Sequence, residues 1–380
     1  MRPSFADLER ALGMSRAALT HAVLARGDFL FRRLIVPHVR VSYEDMLPHV
    51  VGADILITSS LAFGARLAAE RRSLPWIGVV LQPLMFLSAY DPPAVPGVPW
   101  LGAMLRALGP LPTRAALRLV KGAVGSLLRP VHELRREIGL PVSRRNPLFE
   151  GQFSRAGAVG LYSGVLGAVQ PDYPRPAVIT GFAWFDSADG AGAALPPGLE
   201  EFLDAGPPPL VFTLGSLVVN SPGDFYRESA AAARMLGRRA VLLVGEAGPR
   251  ISAPDVHVCA YAPHSLLFPR AEAIVHQGGI GTLGQALRAG RPQLIVPYFA
   301  DQDDNAARAV RLGAARALRP ERYRGAQAAR ELAIMSASDA YADQAARIAS
   351  QIGCEDGAAR AARFILDRIE SPLPKHGELR

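Results

Sequence analysis

At 380 residues, 49% of them apolar and 20% charged, the chain is too long for one ordinary domain and too apolar for a disordered one, so two packed domains are the natural reading. Cys259 and Cys354 are too few for a disulfide framework and show no metal-ligand spacing, which reads both as small buried hydrophobes. A net charge of +8 favours an anionic partner. The arginines are scattered, however, and no basic run is interleaved with aromatics, which argues against nucleic acid.

The first residues, MRPSFADLERALGMSR, carry acids where a signal peptide needs an apolar run. No uncharged apolar stretch reaches the ~18 residues of a membrane span, and the cytoplasm is the expected location. The first clear strand is ADILITS (53–59), followed by a helix in AFGARLAAERR and a second strand, WIGVVLQ (76–82). Residues 100–138 have helical composition, and PAVIT (176–180) fits one more strand. Residues 185–209, rich in Gly, Ala and Pro, read as a linker between a domain at 1–184 and another at 210–370. Residues 371–380 form a polar tail.

From Leu210 onward short apolar runs alternate with helical stretches: LVFTL (210–214), AVLLV (240–244), VHVCA (256–260), EAIVH (272–276) and QLIVP (293–297). Strands of this kind, spaced by helices, predict parallel βαβ units buried on both faces, hence a Rossmann-like α/β domain. Residues 339–370 predict two further helices.

The segment VHQGGIGTLGQALRAGRPQLIVPYFADQDDN (275–305) carries the chemistry. A strand delivers the chain into a Gly-rich turn, which opens a helix near Thr282. The free N–H groups and positive dipole end of that helix make an anion site, and missing side chains let a phosphate approach the backbone. His276, at the strand's end, is placed to donate to the same phosphates. Asp301 and Gln302 follow the next strand, and ligands of open α/β sheets bind beyond the carboxyl ends of strands. Residues 279–284 also match G-x-G-x-x-G, with Asp301 about twenty residues on. That dinucleotide fingerprint belongs on the first strand of its domain, whereas three strands precede this one. A purely structural turn is the remaining reading, against which stands the cost of four glycines behind a histidine.

YAPHSLLFPRAEAIVHQGGIGTLGQALRAGRPQLIVPYFADQDDNA (261–306) resembles the donor-binding signature of bacterial family-one, UDP-glycosyltransferase-like enzymes. The similarity covers most of 205–335 and, more weakly, 50–100. It implies the GT-B fold, two Rossmann-like domains facing each other, and inverting transfer without a metal or other cofactor. It further implies that Tyr261 stacks on the nucleotide base while the backbone beside Ala262 and Pro263 reads its edge. His276, Gly278, Gly279, Gly281 and Thr282 would hold the pyrophosphate, Asp301 and Gln302 the sugar hydroxyls. TLGSL (213–217) resembles the family's first turn in this domain and places Ser216 near the phosphates or the sugar. Where plant members have a ribose-gripping glutamate this chain has Gly284, with Gln285 nearby, so uridine and deoxythymidine diphosphates both stay open.

By the same resemblance, 1–184 is the acceptor-side domain, and it is expected to be incomplete. Inverting transfer needs a base for the acceptor's proton, which the family supplies from a G-x-x-G-[HD]-x-x-P-type turn behind a first strand. No such strand or turn precedes Ala53, and none of His21, His38, His49 and His132 follows a strand. No catalytic residue is therefore assigned. The expectation is a chain begun at an internal methionine, impaired as written because a base adds about 10²–10⁴-fold in rate. A non-catalytic nucleotide-sugar-binding protein acting with a partner, or a sugar-nucleotide epimerase of the same fold, are the alternatives. LQPLMFLSAYDPP (81–93) suits an apolar acceptor wall or plain core. The basic, amphipathic 104–137 could rest on an anionic membrane and admit a lipid-like acceptor, although an ordinary helical cover explains the same residues.

Overall fold

The structure is a computed structural model, and it describes residues 4–95, 97–185, 194–246 and 248–370. The chain divides into two compact units, one of residues 1–183 with 356–380 and one of residues 184–355.

The first unit holds four parallel strands, β1 (Leu56–Ser59), β2 (Trp76–Val80), β3 (Ala158–Gly160) and β4 (Ala177–Ile179), side by side in chain order. Among the described residues only helices precede β1, beginning with Phe5–Leu12, which Ser4 and Asp7 start with a reciprocal capping box. The crossover helix Phe63–Arg71 buries Phe63, Leu67, Ala68 and Ala69 against Val39 and Tyr43. Its Arg66 is buried too, and its guanidinium donates to the backbone oxygens of Ser59 (2.8 Å), Ser60 (3.2 Å) and Pro147 (3.1 Å). Desolvation pulls its pKa down to about 9.

The second unit holds six parallel strands: β5 (Leu210–Thr213), β6 (Ala240–Leu243), β7 (Val256–Cys259), β8 (Ala273–His276), β9 (Gln293–Ile295) and β10 (Ala315–Ala317). Their spatial order is β10-β9-β8-β5-β6-β7. The chain therefore builds outward from β5 in one direction, then returns to β5's other side with β8. Every residue of β5, β6, β8 and β9 is buried, as unbroken apolar runs require of a sheet covered on both faces.

The structure corrects four expectations. β3 and β10 are strands of only three residues, too short for a pattern to announce them. Within the expected linker 185–209, the helix Leu199–Asp204 packs Leu199 and Leu203 into the core with Val211 and Ile274, because its apolar spacing gives it a face to bury; residues 186–193 and the tail 371–380 lie outside the described residues. Residues 357–370 form a helix of the first unit, where Ala361 and Phe364 pack on Ile77 and Val159. Cys354 is exposed at a helix end rather than buried, whereas Cys259 is partly buried and burial pushes its thiol up to about 11. The aromatics of 81–93 serve mainly as core, since Phe86 stacks on Phe153 and Tyr173 with ring centroids 5.3 and 3.9 Å away.

Candidate functional site

Parallel register aligns the carboxyl ends of the second unit's strands, with Thr213 opposite His276 and His276 opposite Ile295. Strand order reverses between β5 and β8, so the turns that follow these two strands stand together at a topological switch point. The contact is close: a Cβ added at Gly215, behind β5, would fall 2.2 Å from Nε2 of Gln277, behind β8.

The helix Ile280–Arg288 opens directly from that turn, and no side chain caps it. Leu283 is the first residue to bond backwards, to Gly279 O at 2.9 Å. The N–H groups of Ile280, Gly281 and Thr282 thus have no acceptor among the described residues, which is the condition for an anion site. Around Gly281 there is open space, since a Cβ there would meet nothing within 4 Å. Gly278 is the opposite case. It sits at φ +85°, where an added Cβ would press 2.8 Å from Ile295 Cγ2, so only glycine fits.

His276 corrects the expectation placed on it. The ring is fully buried. Nδ1 accepts from the Gly278 N–H at 3.0 Å, which leaves the proton on Nε2, 2.9 Å from Gln293 Oε1. Both nitrogens are engaged within the protein, so neither reaches a phosphate; the imidazole shapes the turn. Burial lowers its pKa to about 4, only partly offset by Gln293, so the ring is neutral at pH 7.

Asn305 fixes the other side of the turn. Its Nδ2 donates to Gly278 O at 2.9 Å and to Asp301 Oδ2 at 2.7 Å. Burial raises the Asp301 pKa, opposed by hydrogen bonds from its own backbone and from Asn305. Gln302 directs Oε1 onto the N–H groups of Tyr298 (2.8 Å) and Phe299 (3.3 Å) and so holds the loop in which Ala300 takes φ +58°. Behind β7, Ala262 and Pro263 are buried and Tyr261 is 52% exposed, its ring 6.1 Å from that of His264. Ser216 is exposed behind β5. The expected residues therefore all follow the carboxyl ends of β5, β7, β8 and β9.

Three participants escape the sequence reading. Gln277 lies between the two glycine turns, its Oε1 buried without a partner. Gln293 and Asn305 orient His276 and the turn. Only Asn305 left a trace in sequence, one helical turn after Asp301.

A parallel sheet whose switch point bears a bare helix N-terminus and a glycine-lined opening defines a class of nucleotide-diphosphate-holding α/β proteins. Comparison with known proteins narrows the class. Residues 243–362 match the family described as "Erythromycin biosynthesis protein CIII-like, C-terminal domain". The vancomycin aglycone glucosyltransferase of Amycolatopsis orientalis is 31% identical over 350 residues, which cover 90% of this chain and 81% of that protein. The O-mycaminosyltylonolide 6-deoxyallosyltransferase of Streptomyces fradiae is 37% identical over 207 residues, so the match spans 54% of this chain and about half (48%) of that relative. The fold is shared with the spinosyn forosaminyltransferase SpnP (TM-score 0.66, 15% identity, covering 98% and 90% of the two chains) and with glycosyltransferase VinC in complex with dTDP (0.62, 18%, 96% and 86%). The chain belongs to the bacterial family-one, UDP-glycosyltransferase-like glycosyltransferases of the GT-B fold.

Proposed function

We propose that this protein transfers a sugar from a nucleoside diphosphate sugar to a hydroxyl of a natural-product aglycone, with inversion and without a metal. The observation that carries the reading is the uncapped start of Ile280–Arg288 at the switch point, open at Gly281 and flanked by the Gln277 amide. The acceptor oxygen attacks the anomeric carbon from the face opposite the diphosphate; the C–O bond to the diphosphate breaks, and the departing group takes the electron pair. The three free N–H groups and the helix dipole stabilise the charge that then collects on it. Tyr261 gives the base an exposed ring to stack on, and Asp301 keeps one carboxylate oxygen for sugar hydroxyls while Asn305 holds the other. The acceptor's proton goes to a base not assigned among the described residues, and without one, turnover is slow by about 10²–10⁴-fold. Relatives named for a vancomycin aglycone and for O-mycaminosyltylonolide support a natural-product acceptor.

Calorimetry with dTDP and UDP, together with nucleoside diphosphate release from the corresponding sugars, tests the reading. At least one nucleotide is expected to bind more tightly than about 1 mM. No binding of either would overturn the donor site. Binding without sugar transfer to any aglycone offered would overturn the transferase and leave a nucleotide-sugar-binding protein.

A further inference from the structure

The first unit carries an exposed apolar surface that the donor-site reading leaves unaccounted for. Helices Pro99–Leu108 and Pro110–Leu127 form a hairpin through Gly109. The described solvent-facing side chains of the first are Trp100, Ala103, Met104, Ala107 and Leu108, all apolar. On the second, Leu111, Ala115 and Leu119 recur at four-residue spacing on the side opposite the buried Thr113 and Leu117. Trp100, Leu111 and Leu119 are 62%, 73% and 78% exposed. Apolar side chains this numerous and this open mark a contact surface rather than scattered surface hydrophobes.

Charge selects the occupant. Residues 92–132 contain no Asp or Glu, and over 91–150 nine Lys and Arg face four Asp and Glu. Arg106, Lys121 and Arg129 are paired with Asp91, Glu150 and Glu133. Arg114, Arg118, Arg144 and Arg145 make no ion pair among the described residues, Arg114 donating only to the Tyr90 hydroxyl at 3.1 Å. Arg118, Arg144 and Arg145 line one cavity of about 540 Å³ beside the hairpin. An apolar stripe flanked by unpaired cations, with a tryptophan at one end, has the make-up of an element lying in the plane of a membrane interface. No helix among the described residues is long and apolar enough to cross a membrane. We propose that this hairpin docks the protein on the surface of an anionic lipid bilayer, inserting Trp100, Leu108, Leu111 and Leu119 below the headgroups while Arg114, Arg118, Arg144 and Arg145 bind the phosphates. The inference stands independently of sugar transfer.

Flotation of the full chain with phosphatidylglycerol–phosphatidylcholine vesicles, compared with phosphatidylcholine alone, tests it. Binding to the anionic vesicles only is expected, weakening as salt screens the arginines. The double variants L111E/L119E and R114Q/R118Q should each bind at least about tenfold less with unchanged melting and nucleotide affinity, since these side chains are exposed. Absence of flotation, equal flotation of either variant, or a dimer that L111E/L119E dissociates would overturn the proposal; the last would make the face a contact between two copies of the chain.

Discussion

Replacing His276 tests whether the imidazole shapes the phosphate turn or touches the ligand. His276→Ala removes hydrogen bonds of 2.9 and 3.0 Å from a site without solvent access. The Gly278 N–H loses its acceptor, and Gln293, whose Nε2 already has no partner, loses the contact at Oε1 as well. Each stranded buried group costs about 1–3 kcal/mol, and the void left by the ring adds about 1–2 kcal/mol. The expected loss is therefore about 4 kcal/mol, a large share of a domain's stability. His276→Asn keeps an acceptor where Nδ1 stands and should recover about 1–2 kcal/mol of it. Urea unfolding followed by intrinsic fluorescence measures the stability, and calorimetry with dTDP or UDP measures binding at a denaturant-free temperature where each variant is folded. If His276→Ala lowers stability by less than about 0.5 kcal/mol while nucleotide affinity falls tenfold, the buried-turn argument is wrong and the ring contacts the phosphates directly.

The same histidine predicts a pH dependence. Its folded pKa of about 4 lies below the ordinary 6.5, so between these values the unfolded chain takes up a proton that the folded one refuses. Its contribution is constant above about pH 6.5 and falls by about 1.4 kcal/mol per unit toward pH 4; this slope should vanish in His276→Asn, measured by urea unfolding across pH 4.5–7.5. The two turn glycines should separate stability from binding: Gly278→Ala, strained by its backbone and by Ile295, should cost about 1–3 kcal/mol, while Gly281→Val should stay folded and bind nucleotide at least about tenfold less. Tyr261→Ala should weaken nucleotide binding by about 1–3 kcal/mol with little change in melting, and equal affinity would remove the stacking role. Arg66→Met should destabilise the first unit by about 1–3 kcal/mol, because the buried Pro147 carbonyl loses its donor; a shift in melting temperature under 1 °C would refute this.

The second unit was legible because its strands are buried on both faces, so burial leaves uninterrupted apolar runs such as 240–244 and 273–275. The glycine turn was legible for a related reason: Gly278 and Gly281 answer to backbone geometry and to empty space, which constrain residue type directly. His276 misled because a histidine behind a strand looks the same in sequence whether its ring faces ligand or core. Only the partners decide, and Gln293 lies seventeen positions away on a neighbouring strand. β3 and β10 were missed since Ala158–Gly160 and Ala315–Ala317 owe their strand state to pairing with β2 and β9 rather than to their own pattern. The hairpin's membrane-like composition was visible in the sequence, but which of its leucines face outward is a property of packing alone.

The final helix has a topological consequence. Because Gly357–Glu370 leaves the second unit and rejoins the first, lodging Gly357 beside the Gly181 backbone and Phe364 over Gly157, the polypeptide passes between the units at two places, near 183 and near 355. A protease that nicks the first passage leaves residues 1–183 joined to the rest only by the packing of that helix. Residues 1–183 taken alone would likewise show water the patch of Ile77 and Val159 that Ala361 and Phe364 now shield, so neither half is a freely transplantable cassette.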